Sequence, residues 1–245
     1  MNESIKGIFF DVDDTLYDHL APFRTAVDAE ASVPRGFPYE EAYHRMRYYS
    51  DMLSLEMGGA GAMEEGQATE RMRTERFRLS LAEFGVKLTN EEAARMQAAY
   101  IGCQYQITMF EGARELIGEL AARGFTIGLI TNGAPGHQMM KIKAMQLDDL
   151  IPPERQFVSG ATGWDKPDQR LFHYVNERTG TLPSNSIYIG DSWRNDVTGA
   201  LSAGWSVIWF NHRGVKPESD QVPDSYLTAD NYTQLRELLL GLKLN

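Results

Sequence analysis

Cysteine is nearly absent from this sequence, and its scarcity limits the chemistry that the chain can carry. The 245 residues include a single cysteine, Cys103, so no intrachain disulfide can form, which fits a reducing compartment. Because no histidine lies near Cys103 in the sequence, we expect a small buried hydrophobic side chain there rather than a nucleophile. A zinc site also lacks its ligands, since neither a cysteine pair nor a histidine pair occurs at ligand spacing.

Positive charge and long apolar runs are also scarce. The chain has 24 lysines and arginines against 34 aspartates and glutamates, a formal net charge of −10. Nucleic acid polymers and anionic membrane surfaces need a basic surface, so neither is an expected partner, whereas a small anionic ligand can bind at a local site. No stretch approaches the length of a membrane span, and residues 1–6 do not resemble a secretory signal. We therefore expect a cytoplasmic protein.

Residues 21–106 show no strand pattern. Glu, Arg, Ala, Met and Leu dominate this segment, as expected of helices, and its breaks predict roughly four of them. The breaks lie at Pro34-Arg35-Gly36, at Gly58-Gly59-Ala60-Gly61 and at residues 85–90. A helical block without strands cannot belong to a sheet. We therefore expect residues 21–106 to form an inserted helical domain, and residues 1–20 and 107–245 to form the core domain.

The rest of the chain alternates between strand and helix patterns. Apolar, β-compatible runs predict strands at residues 5–10, 125–131, 156–159, 186–189 and 206–210. One helix is predicted to carry Leu116, Ile117 and Leu120 and to end at Gly124. Further helices are predicted at residues 136–145, 169–178 and 196–203, and near the end of the chain, where Leu235, Leu238, Leu239 and Leu242 recur at helical spacing. This alternation indicates an α/β fold with a doubly wound, mostly parallel sheet. Ligands of such sheets bind beyond the carboxyl ends of the strands.

Polar residues of a particular kind follow four of the predicted strands. They are Asp11 and Asp13 after the first strand, Thr131 and Asn132 at the second, Lys166 after the third, and Asp191 and Asp196 after the fourth. Clustered carboxylates repel one another unless a cation neutralises them. Carboxylates without histidine or cysteine favour a hard divalent cation, and we expect Mg²⁺ because it takes oxygen ligands and shares its shell with water and phosphate.

Each of these patterns has an ordinary explanation when taken alone. An Asp-x-Asp is often a loop or a helix cap, Ile130-Thr131-Asn132-Gly133 is a turn signal, and Lys166-Pro167 fits a surface loop. All four patterns occur in order, each after a separate strand, and this order favours a shared functional site.

Together the four patterns resemble the motifs of the haloacid dehalogenase (HAD) superfamily, whose core is a Rossmannoid sheet. The matching residues are Asp11, Asp13 and Thr15, then Thr131, then Lys166, and finally Asp191 with Asp196. The resemblance covers the whole chain, and the helical insert resembles the C1-type cap of that family. The first and fourth motifs are most similar to the small-molecule phosphatase branch, which includes nucleotidases and sugar-phosphate phosphatases.

The resemblance implies Mg²⁺-dependent hydrolysis of small phosphomonoesters, such as nucleoside monophosphates or sugar phosphates, through an aspartyl-phosphate. Asp11 would attack phosphorus, and Asp13 would protonate the leaving oxygen and then accept a proton from water. Mg²⁺ would contact the Asp11 carboxylate, the Asp13 main-chain carbonyl and Asp191, while Asp196 would hold the metal through water or orient Lys166. Thr131, Asn132 and Lys166 would stabilise the phosphoryl oxygens.

The second aspartate of the first motif separates phosphoryl transfer from dehalogenation. The dehalogenase branch needs no acid for its leaving group, lacks this aspartate and uses no Mg²⁺, so Asp13 favours a phosphatase. Asp14 is expected to be exposed or to cap a helix, and Thr15 to brace the loop of the nucleophile. Two alternatives stay open: a phosphomutase of the β-phosphoglucomutase type, and a non-catalytic binding module that kept the fold. The sequence does not indicate an oligomeric state.

Substrate selectivity is expected to come from the helical insert, because the motifs contact only the phosphoryl group of a small phosphorylated metabolite. We interpret its tyrosines Tyr43, Tyr48 and Tyr49 as packing residues, with stacking on a substrate as the alternative. The arginines from Arg71 to Arg78 alternate with Glu70 and Glu75, which is typical of a solvated face with i, i+3 pairs. Trp164 and Trp193 are expected to pack, and His19 has no assigned role.

Overall fold

The computed structural model describes residues 5–59, 66–217 and 226–241. The chain divides into two compact units. The segments Met1–Tyr17 and Met109–Asn245 form the first, here called the sheet unit, and Asp18–Thr108 forms the second, here called the helical unit. That the helical unit serves as a cap stays a prediction.

A six-stranded sheet forms the centre of the sheet unit. Its strands are β1 (Gly7–Phe10), β2 (Thr126–Thr131), β3 (Gln156–Val158), β4 (Ser186–Gly190), β5 (Ser206–Phe210) and β6 (Tyr226–Ala229). Their order across the sheet is β3-β2-β1-β4-β5-β6, and every neighbouring pair is parallel. The predicted α/β fold with a mostly parallel sheet is confirmed.

The central strands are apolar because they are buried along their whole length. Every residue of β1 and β4 is buried, as expected of parallel strands that are covered on both faces. In β1, the Phe9 ring packs so closely over Gly128 of β2 that a Cβ atom there would lie 2.8 Å from it. Phe9 also packs against Trp205, with ring centroids 4.9 Å apart.

The sixth strand is absent from the sequence prediction. In β6 the two middle residues, Leu227 and Thr228, are exposed at the edge of the sheet. An edge strand of this kind presents no apolar run and no clean alternation, which are the patterns that identify strands in a sequence.

Helices connect the strands of the sheet unit in the predicted alternation. They are α5 (Ala113–Ala122), α6 (Pro135–Ala144), α7 (Ser159–Thr162), α8 (Gln169–Thr179), α9 (Gly199–Ser202) and α10 (Tyr232–Leu240). A π-helical turn, Trp193–Thr198, precedes α9, so the helix predicted at residues 196–203 consists of two different pieces. In α10, Leu235 and Leu239 are buried as the spacing predicts, and Leu242 lies outside the described residues.

The strand order places a topological switch point between β1 and β4. From β1, the chain first adds β2 and β3 on one side and then adds β4, β5 and β6 on the other. In doubly wound sheets of this order, ligands bind at the carboxyl ends of the strands beside that switch point. Residues Asp11 and Asp191, which directly follow β1 and β4, are therefore at the expected position.

The helical unit contains four α-helices among its described residues, as predicted. They are α1 (Leu20–Glu30), α2 (Tyr39–Glu56), α3 (Gln67–Ala82) and α4 (Asn90–Gln104), which precede α5 in the chain. The side chains of Phe23, Tyr43, Phe77 and Tyr100 lie in its core. Thr89 and Glu92 form a capping box that fixes the start of α4. Ala60 and Gly61 of the predicted glycine-rich break lie outside the described residues.

Predictions for single side chains of the helical unit have mixed outcomes. Tyr43 is buried as predicted, but Tyr48 is 46% exposed, so its interpretation as a packing residue is wrong. Cys103 is only partly buried and is not among the buried residues of α4, which corrects the expectation of a buried side chain. His19 is buried, with its Nε2 atom 2.7 Å from the Tyr100 hydroxyl and 2.6 Å from the Gln104 amide nitrogen.

The arginines of α3 follow the predicted pattern in part. Arg73 and Arg78 form i, i+3 ion pairs with Glu70 and Glu75, at 2.9 Å and 2.6 Å. Arg76 differs, because its guanidinium donates to Ser50 and to the buried Gln97 and lies over the ring of Tyr100. Arg76 therefore cross-links the helices of this unit.

No helix in the described part of the chain is both long enough and apolar enough to cross a membrane. The cytoplasmic location stays a prediction.

Candidate active site at the carboxyl edge of the sheet

Parallel pairing brings the ends of β1 and β4 to the same edge of the sheet. Phe10 is in register with Ile189, and the pairing continues one residue further, where the Asp11 N–H donates to the Ile189 carbonyl at 2.8 Å. Asp11, which is 5% exposed, is therefore fixed by the sheet itself. A carboxylate in such a buried position needs a positive partner.

Lys166 supplies that partner and is itself buried. Its Nζ atom donates to Asp11 Oδ1 at 2.6 Å, to Asp196 Oδ1 at 2.7 Å and to the Tyr188 hydroxyl at 2.8 Å. Tyr188 in turn donates to the Ile130 carbonyl of β2 at 2.7 Å. A lysine ammonium has three donors, and all three are used. One side chain thus connects residues that follow β1 and β4 with β2.

The charges of this cluster shift one another. Burial raises the pKa of the Asp11 carboxyl to about 7, with the Lys166 ammonium opposing the shift and the charges of Asp196 and Asp13 adding to it. Burial lowers the pKa of the Lys166 ammonium, but the charges of Asp11 and Asp196 outweigh burial and raise it overall. A further cation among these carboxylates would lower the pKa of Asp11 as Lys166 does, and so favour the nucleophilic anion.

Asp196 reaches the cluster because the chain after β4 makes a close turn. A Cβ atom on Gly190 would lie 2.4 Å from the Asp196 carboxyl, so only glycine allows this approach. The other carboxylate oxygen of Asp196 accepts from the Ser192 N–H at 2.9 Å. Asp196 is therefore held at both oxygens, by the lysine on one side and by the main chain on the other.

Three carboxylates form a candidate cation site. Asp11, Asp191 and Asp196 each offer an oxygen, and these atoms lie within 4.8 Å of one another. An all-oxygen donor set that is partly buried fits Mg²⁺, which binds through a few carboxylates and keeps water and substrate oxygens in its shell. The carboxylate of Asp13 is not in this group, so its predicted contribution is limited to the main-chain carbonyl.

The Asp13 side chain is instead bound by residues that sequence reasoning missed. The Lys141 ammonium donates to both Asp13 oxygens at 2.8 Å. The Tyr17 hydroxyl donates to Oδ1 at 2.5 Å, and the Gln138 amide donates to Oδ2 at 3.2 Å. The available signal was the i, i+3 spacing of Gln138 and Lys141, which places two polar side chains on one face of the helix that follows Thr131 and Asn132.

The two residues at the end of β2 are at the same edge. Thr131 is buried as the last residue of its strand. The Asn132 side chain accepts from the Lys166 N–H at 2.8 Å and donates to the Lys166 carbonyl at 2.9 Å. This paired contact fixes the main chain at Lys166. A phosphate contact from Asn132 would therefore use its main-chain N–H, and its side chain serves to place the lysine.

Asp14 is neither exposed nor a helix cap, which corrects the prediction. It is 1% exposed, it has a positive φ of 62°, and its carboxylate accepts from Arg213 at 2.7 Å and 3.2 Å. Arg213 lies in the loop after β5, 199 positions further along the chain. This contact anchors the first motif, which follows β1, to the loop that follows β5. No local sequence pattern indicates it.

Thr15 and the two tryptophans beside the motifs pack against neighbouring residues. Thr15 is buried, and its carbonyl accepts from the Tyr232 hydroxyl at 2.6 Å, so the bracing role stays a prediction that these contacts support. Trp193 is buried and packs against Trp209 with ring centroids 4.9 Å apart. Trp164 is partly buried against Tyr174. Both tryptophans pack as expected.

The arrangement combines parts that suit phosphoryl transfer. A buried carboxylate, Asp11, lies beside a fixed ammonium and a candidate cation site. A second carboxylate, Asp13, lies two positions further along the chain and is held separately. Such a set offers a nucleophile, positive charge for developing negative oxygens, and a group that can give or take a proton.

Known proteins similar to this chain include several phosphatases. A family model described as haloacid dehalogenase-like hydrolase matches residues 5–204. The chain is 27% identical over 242 residues to the glyceraldehyde 3-phosphate phosphatase of Methanothermobacter thermautotrophicus. The match covers 96% of this chain and 100% of that protein. It is 30% identical over 257 residues to the phosphoserine phosphatase of Thermus thermophilus, covering 97% of this chain and 99% of that protein.

A solved structure is similar to the whole described fold. The HAD-hydrolase YfnB of Bacillus subtilis, determined with bound magnesium, matches with a TM-score of 0.71 at 24% sequence identity. The match covers 97% of this chain and 99% of that protein.

Proposed function

This chain belongs to the haloacid dehalogenase-like hydrolase family, and from that premise we propose that it hydrolyses small phosphomonoesters with Mg²⁺ through an aspartyl-phosphate on Asp11. The predicted superfamily and the predicted enzyme class, a HAD-type phosphatase, are confirmed by the family match and by relatives named as phosphatases. The proposal concerns the cation, the intermediate, the substrate class and the roles of individual residues.

The observation that carries the proposal is the convergence of Lys166 on Asp11 and Asp196, at 2.6 Å and 2.7 Å. Burying an ion pair gains little stability over an apolar contact, so this cluster is better explained by chemistry than by folding. Asp13 close by then supplies the acid that an ester oxygen needs as it leaves.

In the first step, an Asp11 oxygen attacks phosphorus, and a bond between that oxygen and phosphorus forms. The bond between phosphorus and the ester oxygen breaks, and the leaving oxygen takes a proton from Asp13. In the second step, a water molecule attacks phosphorus, Asp13 takes a proton from that water, and the aspartyl-phosphate breaks to give inorganic phosphate and free Asp11. The second step thus returns to Asp13 the proton that it gave in the first step, and it removes from Asp11 the phosphoryl group that it gained.

The negative charge on the transferring oxygens needs donors that are already in place. Lys166 is fixed by three acceptors and by the Asn132 clamp on its main chain, so it loses little freedom on binding substrate. Thr131 at the end of β2 would add a hydroxyl donor. Such preorganised donors commonly provide the largest part of transition-state stabilisation.

The cation would be held by the carboxylates of Asp11, Asp191 and Asp196 and by the main-chain carbonyl of Asp13. When bound, Mg²⁺ supplies positive charge that offsets the repulsion between the nucleophile and the phosphate oxygens. The residues of this chain orient and balance the remaining charge.

The proposed substrates are small phosphorylated metabolites, including sugar phosphates and nucleoside monophosphates. Two relatives are named for glyceraldehyde 3-phosphate and for phosphoserine, which are both short phosphomonoesters. The names of these two relatives support small phosphomonoesters as the substrate class, and an assay over a substrate panel identifies the individual substrate.

The test is a phosphate-release assay of the full chain over p-nitrophenyl phosphate, sugar phosphates, nucleoside monophosphates and phosphoserine, in Mg²⁺ and in EDTA. We expect turnover in Mg²⁺, loss in EDTA and recovery when Mg²⁺ is added back. Full activity in EDTA would contradict the cation site. Isomerisation of a hexose phosphate without release of phosphate would favour the phosphomutase alternative.

A further inference from the structure

Lys141 is a buried lysine outside the four sequence motifs. It lies in α6 with 2% of its side chain exposed, and its ammonium is 2.8 Å from each oxygen of Asp13. Removing an ammonium from water is costly unless a negative group compensates. The Asp13 carboxylate provides that compensation, although 128 positions separate the two residues in the chain.

The same carboxylate is held from two further directions. The Tyr17 hydroxyl and the Gln138 amide donate to different oxygens of Asp13. Gln138 also donates to the Asn132 carbonyl at 2.9 Å, so it connects Asp13 to the end of β2. With three donors around one short side chain, both the position of the carboxylate and the direction of its oxygens are fixed.

Lys141 and Lys166 have different partners within one edge of the sheet. Lys166 is bound to Asp11 and Asp196, whereas Lys141 is bound to Asp13. The carboxylates of Asp11 and Asp13 are thus held by separate lysines. This division fits two carboxylates with different tasks, one bonding to phosphorus and one handling protons.

We propose that Lys141, with Tyr17 and Gln138, is a positioning residue that orients the Asp13 carboxylate as the proton acceptor for hydrolysis of the aspartyl-phosphate. This inference rests on the proposed function and deepens it. In the second step Asp13 takes a proton from the water. A carboxylate that is held in place by an ammonium is oriented to accept that proton. In this proposal Lys141 acts through Asp13.

The test separates the two half-reactions with p-nitrophenyl phosphate, whose leaving group departs without an acid. In this assay kcat/KM reports formation of the aspartyl-phosphate, and kcat reports its hydrolysis once hydrolysis is slow. For Lys141→Met we expect kcat to fall about 10- to 100-fold, less than a complete loss of acid–base catalysis. We expect kcat/KM to stay within about threefold and the phosphorylated fraction seen by intact-mass measurement to rise.

Lys143→Met is the matched control, because Lys143 is an exposed lysine in the same helix and should leave both constants unchanged. Tyr17→Phe removes a hydroxyl that donates to the same carboxylate, and it should also lower kcat while leaving kcat/KM nearly unchanged. It therefore carries the test if Lys141→Met does not fold.

The outcomes distinguish this inference from the proposed function. If the wild-type protein releases no phosphate, or if Asp13→Asn leaves turnover unchanged, the proposed function is wrong. If the wild-type protein and Asp13→Asn behave as expected, but folded Lys141→Met or Tyr17→Phe keeps the wild-type kcat, then the inference about Lys141 alone is overturned. A parallel fall in kcat and kcat/KM would also overturn it.

Discussion

The described ion pairs of the two units differ in burial, because the sheet unit has buried pairs beside exposed ones such as Arg236 with Glu119. In the sheet unit, three aspartates at the start of the chain pair with cations from distant parts of the chain: Lys166 with Asp11, Lys141 with Asp13, and Arg213 with Asp14. Asp11 and Asp14 are buried, and Asp13 is partly buried. In the helical unit, the described ion pairs lie in partly exposed positions, and two of them join residues three positions apart in α3.

The contrast separates buried pairs, two of which include the proposed catalytic residues Asp11 and Asp13, from pairs that suit a solvated surface. A buried pair costs several kcal/mol of desolvation and repays it only with good geometry, whereas an exposed pair contributes about 0–1 kcal/mol. Three acidic residues within four positions, each paired with a cation from a distant segment, are therefore difficult to explain by stability alone. Under the proposed function, these pairs hold the first motif at the edge of the sheet, and single substitutions can test each pair.

Removal of Lys166 should have the largest effect. Lys166→Met leaves Asp11 and Asp196 without their shared cation, so we expect a loss of about 3–5 kcal/mol in the free energy of unfolding. Because the same ammonium would also stabilise the phosphoryl oxygens, we expect kcat/KM to fall by about 10²–10³ or more. Urea unfolding and steady-state kinetics measure the two effects. Lys143→Met is the control, and an unchanged kcat/KM would exclude Lys166 from the site.

Removal of Arg213 should affect stability more than chemistry. Arg213→Met leaves the buried Asp14 carboxylate without its main partner, and we expect unfolding to become easier by about 3 kcal/mol. Asp14→Asn is the matching change on the other side, since asparagine tolerates a positive φ. If the pair is the cause, the double variant should lose less than the sum of the single losses.

The control for Arg213 is Arg236→Met, which breaks the exposed pair of Arg236 with Glu119. Urea midpoints of all four variants, compared at constant slope, give the differences directly. Additive losses in the double variant would show that Asp14 and Arg213 stabilise the protein independently, contrary to the hydrogen bonds in the structure.

Removal of a surface pair in the helical unit should have the smallest effect. Arg73→Ala breaks the pair with Glu70, whose side chain is 60% exposed, so we expect a change below about 0.5 kcal/mol. Urea unfolding at low and high salt measures it. A loss above about 2 kcal/mol would mean that α3 depends on its surface charges, and the contrast between the two units would no longer hold.

The sequence was most informative where structure and chemistry are both local. The apolar runs predict the sheet, because buried parallel strands are apolar along their length. They also predict the positions of Asp11 and Asp191, which directly follow β1 and β4, and of Asp196, which lies five positions after Asp191. The edge strand β6 was missed because its middle residues are exposed.

Long-range partners could not be found in this way. Asp14 looked like an exposed loop residue because its partner, Arg213, lies in a segment with no motif of its own. Lys141 has no distinguishing sequence pattern, because its burial depends on a carboxylate that lies 128 positions away in the chain. Tyr48 differs from the prediction because the burial tendency of tyrosine does not determine which positions of α2 face solvent.

The most direct test of the central claim is to identify the residue that carries the phosphoryl group. The wild-type protein is mixed with Mg²⁺ and acetyl phosphate, quenched during turnover and treated with borohydride, which reduces an aspartyl-phosphate to homoserine. Peptide mass spectrometry then locates the reduced position, with Asp11→Asn as the control. The account predicts homoserine at position 11 in the wild-type protein and none in the variant. Turnover without a reduced aspartate, or with one at another position, would contradict it.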